Sequence, residues 1–169
     1  IDSVYGDVHV RTYASETTLR IAFDDTGVFD VSRARREIVW YPGPFPTEAA
    51  VRADILGRVM ALAAHADGHL TLHASAVSIA GRAVAVVGPK HAGKSTLALA
   101  LVRKGARLIT DDTLVVRLQA GAAWAAPGVQ RIRVWDDAAR ALGLFVSGSG
   151  EGKPAVTLAP NERETAPLP

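Results

Sequence analysis

Two short segments carry the residues best suited to chemistry. The first is the loop GPKHAGKS at residues 88–95, which satisfies the pattern G-x-x-x-x-G-K-[ST] through its glycines, its second lysine and its final serine. A loop of this type curls around a phosphate with its backbone N–H groups pointing inward, and glycine permits the conformations that this requires. In this pattern Lys94 reaches the β- and γ-phosphates of a nucleotide, and the hydroxyl of Ser95 joins the shell of a Mg²⁺ ion.

The sequence on either side supplies the setting that a phosphate-binding loop requires. The apolar run AVAVV precedes it and the helix-forming segment KSTLALALVRK follows it, so the positive end of a helix would face the phosphates. We therefore predict a site for ATP or GTP with Mg²⁺. Lys90 either adds charge near the phosphates or is a solvated loop lysine, and His91 is expected to be exposed. The predicted nucleotide contacts are Gly88, Pro89, Lys90, His91, Ala92, Gly93, Lys94, Ser95 and Thr96.

The second segment is LITDD, in which Asp111 and Asp112 end an apolar run. The carboxyl ends of parallel strands share one edge of an α/β sheet, which would bring both carboxylates near the phosphate loop. In one interpretation, one aspartate of the pair holds Mg²⁺ through water. In a sharper one, one aspartate accepts a proton from an acceptor hydroxyl while the other serves the metal. The structural alternative is a turn that caps a strand.

A histidine lies ahead of the loop, in the segment LHAS. A histidine in an apolar strand is usually a buried core residue. His73, however, belongs to a strand that directly neighbours the one leading into the loop, and its end could reach the site. Both alternatives stay open at this point.

Composition excludes several classes of protein. The chain has 169 residues, of which 49% are hydrophobic and 21% charged, as in a single globular domain. Without cysteine it cannot form disulfides or thiolate metal sites. A net charge of +2, evenly spread, does not indicate nucleic acid. No apolar run approaches the roughly 18–20 residues of a membrane span, and no signal-peptide pattern opens the chain. We expect a cytoplasmic protein, incomplete at its C-terminal end.

Patterning predicts one α/β domain with three parts. Residues 1–45 form a β-rich flank, because apolar and polar residues alternate in VHVRTY, TLRIAF, VFDVSR and EIVWYP. Residues 46–68 form an amphipathic helix with Thr47 as its N-cap and Gly68 at its C-terminal end. Residues 70–169 form the core that carries the phosphate loop.

Within that core, strands and helices alternate around the loop. Two strands join at Ala80-Gly81, and the second, Arg82–Val87, is apolar enough to be covered on both faces. A helix follows from 94 to 104. The segments RLIT and TLVVRLQ read as strands, WDDAARALG as a short helix, VSGSGEGKP as a flexible loop and AVTLAP as a last strand.

Residues 70–117 resemble the catalytic core of the HPr kinase/phosphorylase family. The resemblance rests on three elements in the same order and spacing, namely the histidine in LHAS, the phosphate loop, and the segment KGARLITDD. It implies a P-loop kinase core related in fold to phosphoenolpyruvate carboxykinase, and transfer of the γ-phosphate of ATP to a serine hydroxyl. It also implies Asp111 as the general base, His73 near it to tune its charge, and Asp112 with Ser95 at the metal.

The chain departs from that family downstream. Its members carry a signature of the form L-E-[LIV]-R-G, whereas this chain has GVQRIRVWDD, with no glutamate before the arginine. Arg131 or Arg133 contacts phosphate or substrate, or both are surface residues on a strand. The short N-terminal flank is more similar to stand-alone relatives such as lasso-peptide tailoring kinases. The expected partner is thus a peptide or protein hydroxyl, with a small-molecule acceptor and a non-catalytic regulatory module as alternatives and homo-oligomer formation open.

Overall fold

The computed structural model describes residues 2–5, 8–144, 155–156 and 158–169. The chain is mixed α/β, with antiparallel sheets and few helices. It divides after Gly68 into two compact units. This boundary falls where the sequence predicts the junction between the helix at 46–68 and the segment that begins at residue 70.

The N-terminal unit contains a five-stranded antiparallel sheet whose strand order follows chain order. The strands are β1 (Asp2–Tyr5), β2 (Val8–Ala14), β3 (Thr18–Phe23), β4 (Gly27–Ser32) and β5 (Glu37–Pro42). The four strands predicted from alternation are confirmed, and β1 adds a fifth. Because β5 ends the order, it is an edge strand, and five of its six residues are exposed.

A helical segment packs against this sheet in three consecutive parts: α1 (Glu48–Asp54), a π-helical turn (Ile55–Val59) and α2 (Met60–Ala66). The predicted cap is confirmed, since the Thr47 hydroxyl accepts a hydrogen bond of 3.2 Å from the Ala50 N–H. The π-helical turn was not predicted, because the apolar pattern runs through it without a break. The shared core consists of Val10, Leu19, Ile21, Phe23, Phe29, Val31, Val51 and Val59.

A buried carboxylate fastens this helical segment to the sheet. Asp54 accepts a hydrogen bond of 2.6 Å from the Thr26 hydroxyl and forms an ion pair with Arg58, one turn further along. The Arg58 guanidinium also lies over the ring of Phe23, 4.4 Å from its centre. A buried charge is tolerated only when it is paired and hydrogen-bonded, so these contacts hold helix and sheet in one arrangement.

The C-terminal unit contains three small antiparallel sheets, with the orders β8-β7-β9, β11-β10-β6 and β12-β13. The strands are β6 (Leu70–Leu72), β7 (Ala74–Ile79), β8 (Arg82–Val87), β9 (Arg107–Thr110), β10 (Leu114–Gln119), β11 (Ala122–Ala126), β12 (Ile132–Arg133) and β13 (Ala155–Val156). The helices are α3 (Lys94–Arg103), α4 (Asp136–Ala141) and a 3₁₀ turn (Pro160–Glu162). No helix in the described ranges is long and apolar enough to cross a membrane.

Several predictions for this unit are confirmed. Ala80 and Gly81 have φ angles of 49° and 75°, as a two-residue turn of the type that suits hairpins requires. The helix after the loop ends at Arg103, shortly before Gly105. Of the predicted last strand, β13 covers two residues. The predicted loop VSGSGEGKP, at residues 146–154, lies outside the described residues.

The prediction that Arg82–Val87 is covered on both faces is wrong. β8 is the outer strand of its sheet, and Val84 and Val87 are exposed. The central strand is β7, of which five of six residues are buried. In sequence β8 (RAVAVV) is even more apolar than β7 (ASAVSI), so an apolar run does not reveal which of two neighbouring strands takes the inner position.

The core of this unit lies between α3 and the sheet that contains β7. The C-terminal segment of the unit is anchored by the buried Glu164. The Glu164 carboxylate lies 2.5 Å from the Arg107 guanidinium and accepts a hydrogen bond from the Thr165 N–H. The buried members of the core are Val77, Ala98, Leu99, Val102, Leu108, Ile132, Val134, Ala139 and Leu158.

Gly27 gives a test of the N-terminal sheet. It has a φ of +113°, and a Cβ there would lie 2.2 Å from the carbonyl oxygen of Tyr41 on β5. We expect Gly27→Ala to lower the free energy of unfolding by about 1–3 kcal/mol, measured by urea denaturation. Gly57→Ala is the matched control, because a Cβ at that helical position meets nothing within 4 Å and alanine there is neutral or stabilising by up to about 1 kcal/mol. Equal losses in both variants would contradict the tight β4–β5 contact.

Candidate functional site

Sheet topology brings three segments of the chain to one edge. β8 and β9 both pair antiparallel with the central β7, so they run parallel to each other. The register sets Ala74 opposite Val87 and Ala76 opposite Thr110. The start of β7 and the ends of β8 and β9 therefore lie together. His73, the glycine-rich loop and the aspartate pair share this edge, as the rule for the carboxyl ends of parallel strands predicts.

The glycine-rich loop connects β8 to α3 through two residues in the left-handed conformation. His91 has a φ of 67° and Gly93 a φ of 85°. Gly93 is the N-cap of α3, and its carbonyl accepts a hydrogen bond of 2.8 Å from the Leu97 N–H. Left-handed residues of this kind occur in backbone nests that bind anions. The conformation costs a histidine energy that it would not cost a glycine, and strain of this kind concentrates at functional sites.

Lys94 opens α3 and is buried, with 7% of its surface exposed. Its Nζ donates hydrogen bonds to the backbone oxygens of Gly88, at 3.0 Å, and Pro89, at 3.1 Å. Both acceptors are neutral, and no carboxylate of the described residues forms an ion pair with this ammonium. A buried cation is stable only with partners, so an anionic ligand would complete its surroundings.

The rest of the loop is accessible. The predicted exposure of His91 is confirmed, and Lys90 is exposed beside it, which leaves both alternatives for Lys90 open. Thr96 is partly buried in the first turn of α3. Gly88, at the end of β8, packs closely, since a Cβ there would lie 3.3 Å from the Ala92 Cβ.

Asp111 is the buried acid of the site, with 3% of its surface exposed. The hydroxyl of Ser75, itself buried on β7, donates a hydrogen bond of 2.5 Å to Oδ1. The other oxygen, Oδ2, is buried and has no hydrogen-bond partner among the described residues. Buried polar atoms are nearly always satisfied in native proteins. The orphaned Oδ2 therefore marks a position where a ligand or a proton would be bound.

The surroundings of Asp111 make its charge costly. Burial is the main reason that the pKa of Asp111 lies above its ordinary value of 3.8, and the charge of Asp112 raises this pKa further. The hydrogen bond from Ser75, the nearby hydroxyl of Ser95 and the backbone of Arg133 all lower the pKa of Asp111, but by less than burial raises it. The carboxyl group therefore holds its proton to a higher pH than an exposed aspartate.

The donors at this edge fit a Mg²⁺ ion. The Ser95 hydroxyl lies close enough to Asp111 to lower the pKa of that carboxyl, so a loop hydroxyl and a carboxylate with an unused oxygen meet here. Asp112 adds an exposed carboxylate next in the chain. Magnesium in phosphate-handling proteins takes one or two carboxylates, with phosphates and water as its remaining ligands, and the predicted metal residues Ser95 and Asp112 match that donor set.

His73 is exposed just before β7, so the alternative of a buried core histidine is wrong. Its Nδ1 lies 2.9 Å from the backbone oxygen of Asp112. Because a carbonyl oxygen only accepts, Nδ1 carries the proton in this contact. Asp112 is left-handed, with a φ of 70°, and His73 supports the turn that follows Asp111. The side-chain hydrogen bond to Asp111 comes from Ser75 instead.

A supporting segment behind Asp111 was not identified from the sequence. The Asp111 N–H donates to the Val129 oxygen at 2.9 Å, and the Gly128 N–H donates to the Ile109 oxygen at 3.0 Å. A Cβ at Gly128 would lie 2.5 Å from Thr110 Oγ1, so glycine permits this close approach. The dipeptide PG at 127–128 predicts a turn, but it does not predict that this turn packs against β9.

Ser75 was also missed, and its contact can be measured. We expect Ser75→Ala to lower the free energy of unfolding at pH 7 by about 1.5–3 kcal/mol, the usual scale for a hydrogen bond to a charged group. In an Asp111→Ala background the same change should cost much less. Urea unfolding of the four proteins of this double-mutant cycle gives the coupling energy. Additive losses would mean that Ser75 does not stabilise the carboxylate.

The raised pKa of Asp111 gives a pH-dependent prediction for the metal-free protein. As pH rises from the ordinary aspartate pKa towards that of folded Asp111, the unfolded chain releases its proton first, so the folded state loses stability relative to it. Asp111→Asn removes this loss. We expect the free energy of unfolding of the variant, relative to that of the wild type, to increase as pH rises above about 4 and to stay constant below it.

The measurement is urea unfolding at several pH values in the presence of EDTA, where all other titrating groups are shared by the two proteins. A difference that does not change with pH would contradict the burial of a costly charge at Asp111.

Comparisons with known proteins give this site no relative. No protein-family model, no curated protein and no solved structure matches the chain.

Proposed function

We propose that the chain is a Mg²⁺- and ATP-dependent kinase with a P-loop core that transfers a γ-phosphate to a serine-type hydroxyl. The observation that carries this proposal is the buried Asp111 carboxylate, whose Oδ2 has no partner in the described part of the chain, at the sheet edge that also carries the glycine-rich loop. A module that only binds a nucleotide has no need of a buried base, whereas phosphoryl transfer to a hydroxyl does.

The glycine-rich loop would hold the triphosphate. The N-terminus of α3 and the left-handed residues His91 and Gly93 favour negative charge there. The buried Lys94 ammonium, now donating to two neutral carbonyls, would exchange them for phosphate oxygens. Charge-assisted hydrogen bonds of that kind are about twice as strong as those to neutral acceptors, which favours the exchange.

A bound Mg²⁺ would neutralise negative charge on the phosphates. Ser95 supplies a hydroxyl for it, and Asp112 supplies a carboxylate or orders water around it. These are the residues that the sequence predicted at the metal, and the Ser95 hydroxyl beside the Asp111 carboxylate supports the assignment.

Asp111 would act as general base. The acceptor hydroxyl oxygen forms a bond to the γ-phosphorus, the bond from this phosphorus to the β–γ bridging oxygen breaks, and ADP leaves with that oxygen. The hydroxyl proton passes to Asp111 Oδ2. Ser75 keeps Oδ1 occupied, so Oδ2 is the oxygen left for the proton. The raised pKa of Asp111 makes the carboxylate a stronger base than an exposed aspartate.

Two alternative functions could use the same site. A small-molecule kinase would use the same edge with a different acceptor. A regulatory module would bind nucleotide without transfer, and it would be insensitive to the loss of the Asp111 carboxylate.

The test is phosphate transfer to acceptors, followed by mass spectrometry after incubation with Mg-ATP. We expect a gain of one phosphate on a serine-containing peptide or protein. Asp111→Asn should lower the rate by roughly 10²–10⁴, the usual contribution of a general base, with ATP affinity retained. Lys94→Ala is the contrasting variant and should weaken ATP binding itself. Loss of ATP binding in both would make Asp111 a ligand site rather than a base, and transfer unchanged in Asp111→Asn would overturn its assignment.

A further inference from the structure

On the outer side of the edge strand β5, no strand of the described residues pairs with its backbone N–H and C=O groups. The Gly43 N–H donates to the Thr26 oxygen at 3.1 Å, which makes Gly27 and Pro42 a non-hydrogen-bonded pair and fixes the phase of the β4–β5 ladder. Val39 and Tyr41 therefore direct their N–H and C=O groups towards β4. Ile38 and Trp40 direct theirs away from the sheet, where an added strand would pair with them.

An apolar groove adjoins the same strand. It has a volume of about 420 Å³ and lies between the end of β5 and the first turns of the helical segment. The indole of Trp40 forms one wall, fixed by stacking on Phe29 and by a hydrogen bond of 3.0 Å to the Thr26 oxygen. The opposite wall comes from the helix and includes Val51 and Leu56. These two contacts hold the Trp40 indole in place, as expected for a preformed side-chain pocket.

Arginines outnumber glutamates at the surface formed by β5 and the groove. Arg35 and Arg36 lie exposed in the turn before β5, at the opposite end of the strand from the groove, and Arg52 lines the groove. None of the three forms an ion pair with a carboxylate of the described residues. Two glutamates, Glu37 and Glu48, lie at the same surface. Three arginines against two glutamates leave a small positive excess, which favours an occupant that carries a carboxylate.

We propose that β5 and the groove bind an extended peptide segment that pairs with the strand edge, places a bulky apolar side chain beside Trp40, and carries acidic residues. This inference names the acceptor of the proposed kinase as a peptide, and only that assignment rests on the proposed function. Six residues of β5 extend about 20 Å, so a segment of about six residues covers the edge.

A peptide explains features that other occupants leave unused. A small apolar molecule would fill the groove but leave the N–H and C=O groups of Ile38 and Trp40 unpaired. A second copy of this chain would pair at the edge but bring the same surplus of arginine with it. Strand addition uses backbone hydrogen bonds for affinity and side-chain pockets for specificity, and this surface provides both next to each other.

The test begins with a phage-displayed library of random 12-residue peptides selected on the immobilised full chain without nucleotide. We expect enriched peptides that combine alternating apolar residues, one bulky apolar side chain and at least one acid. Sedimentation of the chain alone, at the concentrations used, would reveal self-association. No enrichment over the bare support, or a dimer whose β5 edge the selected peptides do not displace, would overturn the proposal.

A matched pair of variants locates the binding. Leu56 and Met60 lie on the same helical segment with similar exposure, 41% and 48%, but only Leu56 lines the groove. We expect Leu56→Glu to weaken the enriched peptides by about tenfold or more, equal to about 1.4 kcal/mol, and Met60→Glu to leave their affinity unchanged. Arg52→Glu should weaken peptides in proportion to their acidic residues. Equal effects of Leu56→Glu and Met60→Glu would overturn the assignment to the groove.

Hydrogen exchange separates strand addition from other modes of binding. With peptide bound, the amides of Ile38 and Trp40 should exchange more slowly, while those of Val39 and Tyr41, already paired with β4, should change little. Slowing confined to the helix would mean that only the groove is used, and would overturn strand pairing.

Transfer assays on the selected peptides, extended by a serine, keep this inference distinct from the proposed function. Peptides that bind at β5 but gain no Asp111-dependent phosphate would overturn the kinase proposal and leave peptide binding intact. Phosphate transfer to peptides whose affinity is indifferent to Leu56→Glu would support the kinase and overturn this docking site.

Discussion

The cost of burying one carboxylate organises the C-terminal unit. Asp111 follows β9 with its carboxylate removed from water, and the residues bonded to its side chain and backbone come from different parts of the chain. Ser75 on β7 supplies a hydrogen bond to the side chain, and Val129 accepts one from the backbone N–H. The Ser75 contact joins the end of β9 to β7, the strand that also pairs with β8, from which the glycine-rich loop begins. A buried carboxylate requires hydrogen-bond partners, and these partners constrain the arrangement of the strands around it.

Much of this arrangement could be predicted from local sequence. The loop pattern, the helix that starts at Lys94 and the aspartates after RLIT have signals that lie within a few residues of each other. Alternation likewise predicted the strands of the N-terminal unit, and Thr47 its helix cap. What these signals have in common is short range, since each depends on backbone conformation or on the period of side chains along one element.

The features that escaped prediction depend on contacts between distant residues. The central position of β7 depends on its pairing with β9, which is distant in the sequence, and the more apolar run of β8 suggested the opposite arrangement. In the sequence, Ser75 is one small polar residue in a strand. Its role becomes apparent only in the structure, where Asp111 after β9 lies within hydrogen-bond distance of it. In the sequence, Gly128 is part of a turn, and its close contact with Thr110 is seen only in the structure. The π-helical turn at Ile55–Val59 interrupts a pattern that is continuous in the sequence.

Two residues of opposite charge at the site edge each lack an interaction partner, and the two together indicate what kind of ligand could bind there. Within the ranges that the structure describes, Lys94 is a buried cation bonded only to neutral carbonyls, and Asp111 is a buried acid with one unpartnered oxygen. A ligand that is only anionic would complete the first and repel the second. A ligand that is only cationic would do the reverse. A triphosphate that carries a divalent cation presents both charges at once, which supports the proposed nucleotide site, and in the proposed reaction the acceptor hydroxyl would meet Asp111 Oδ2.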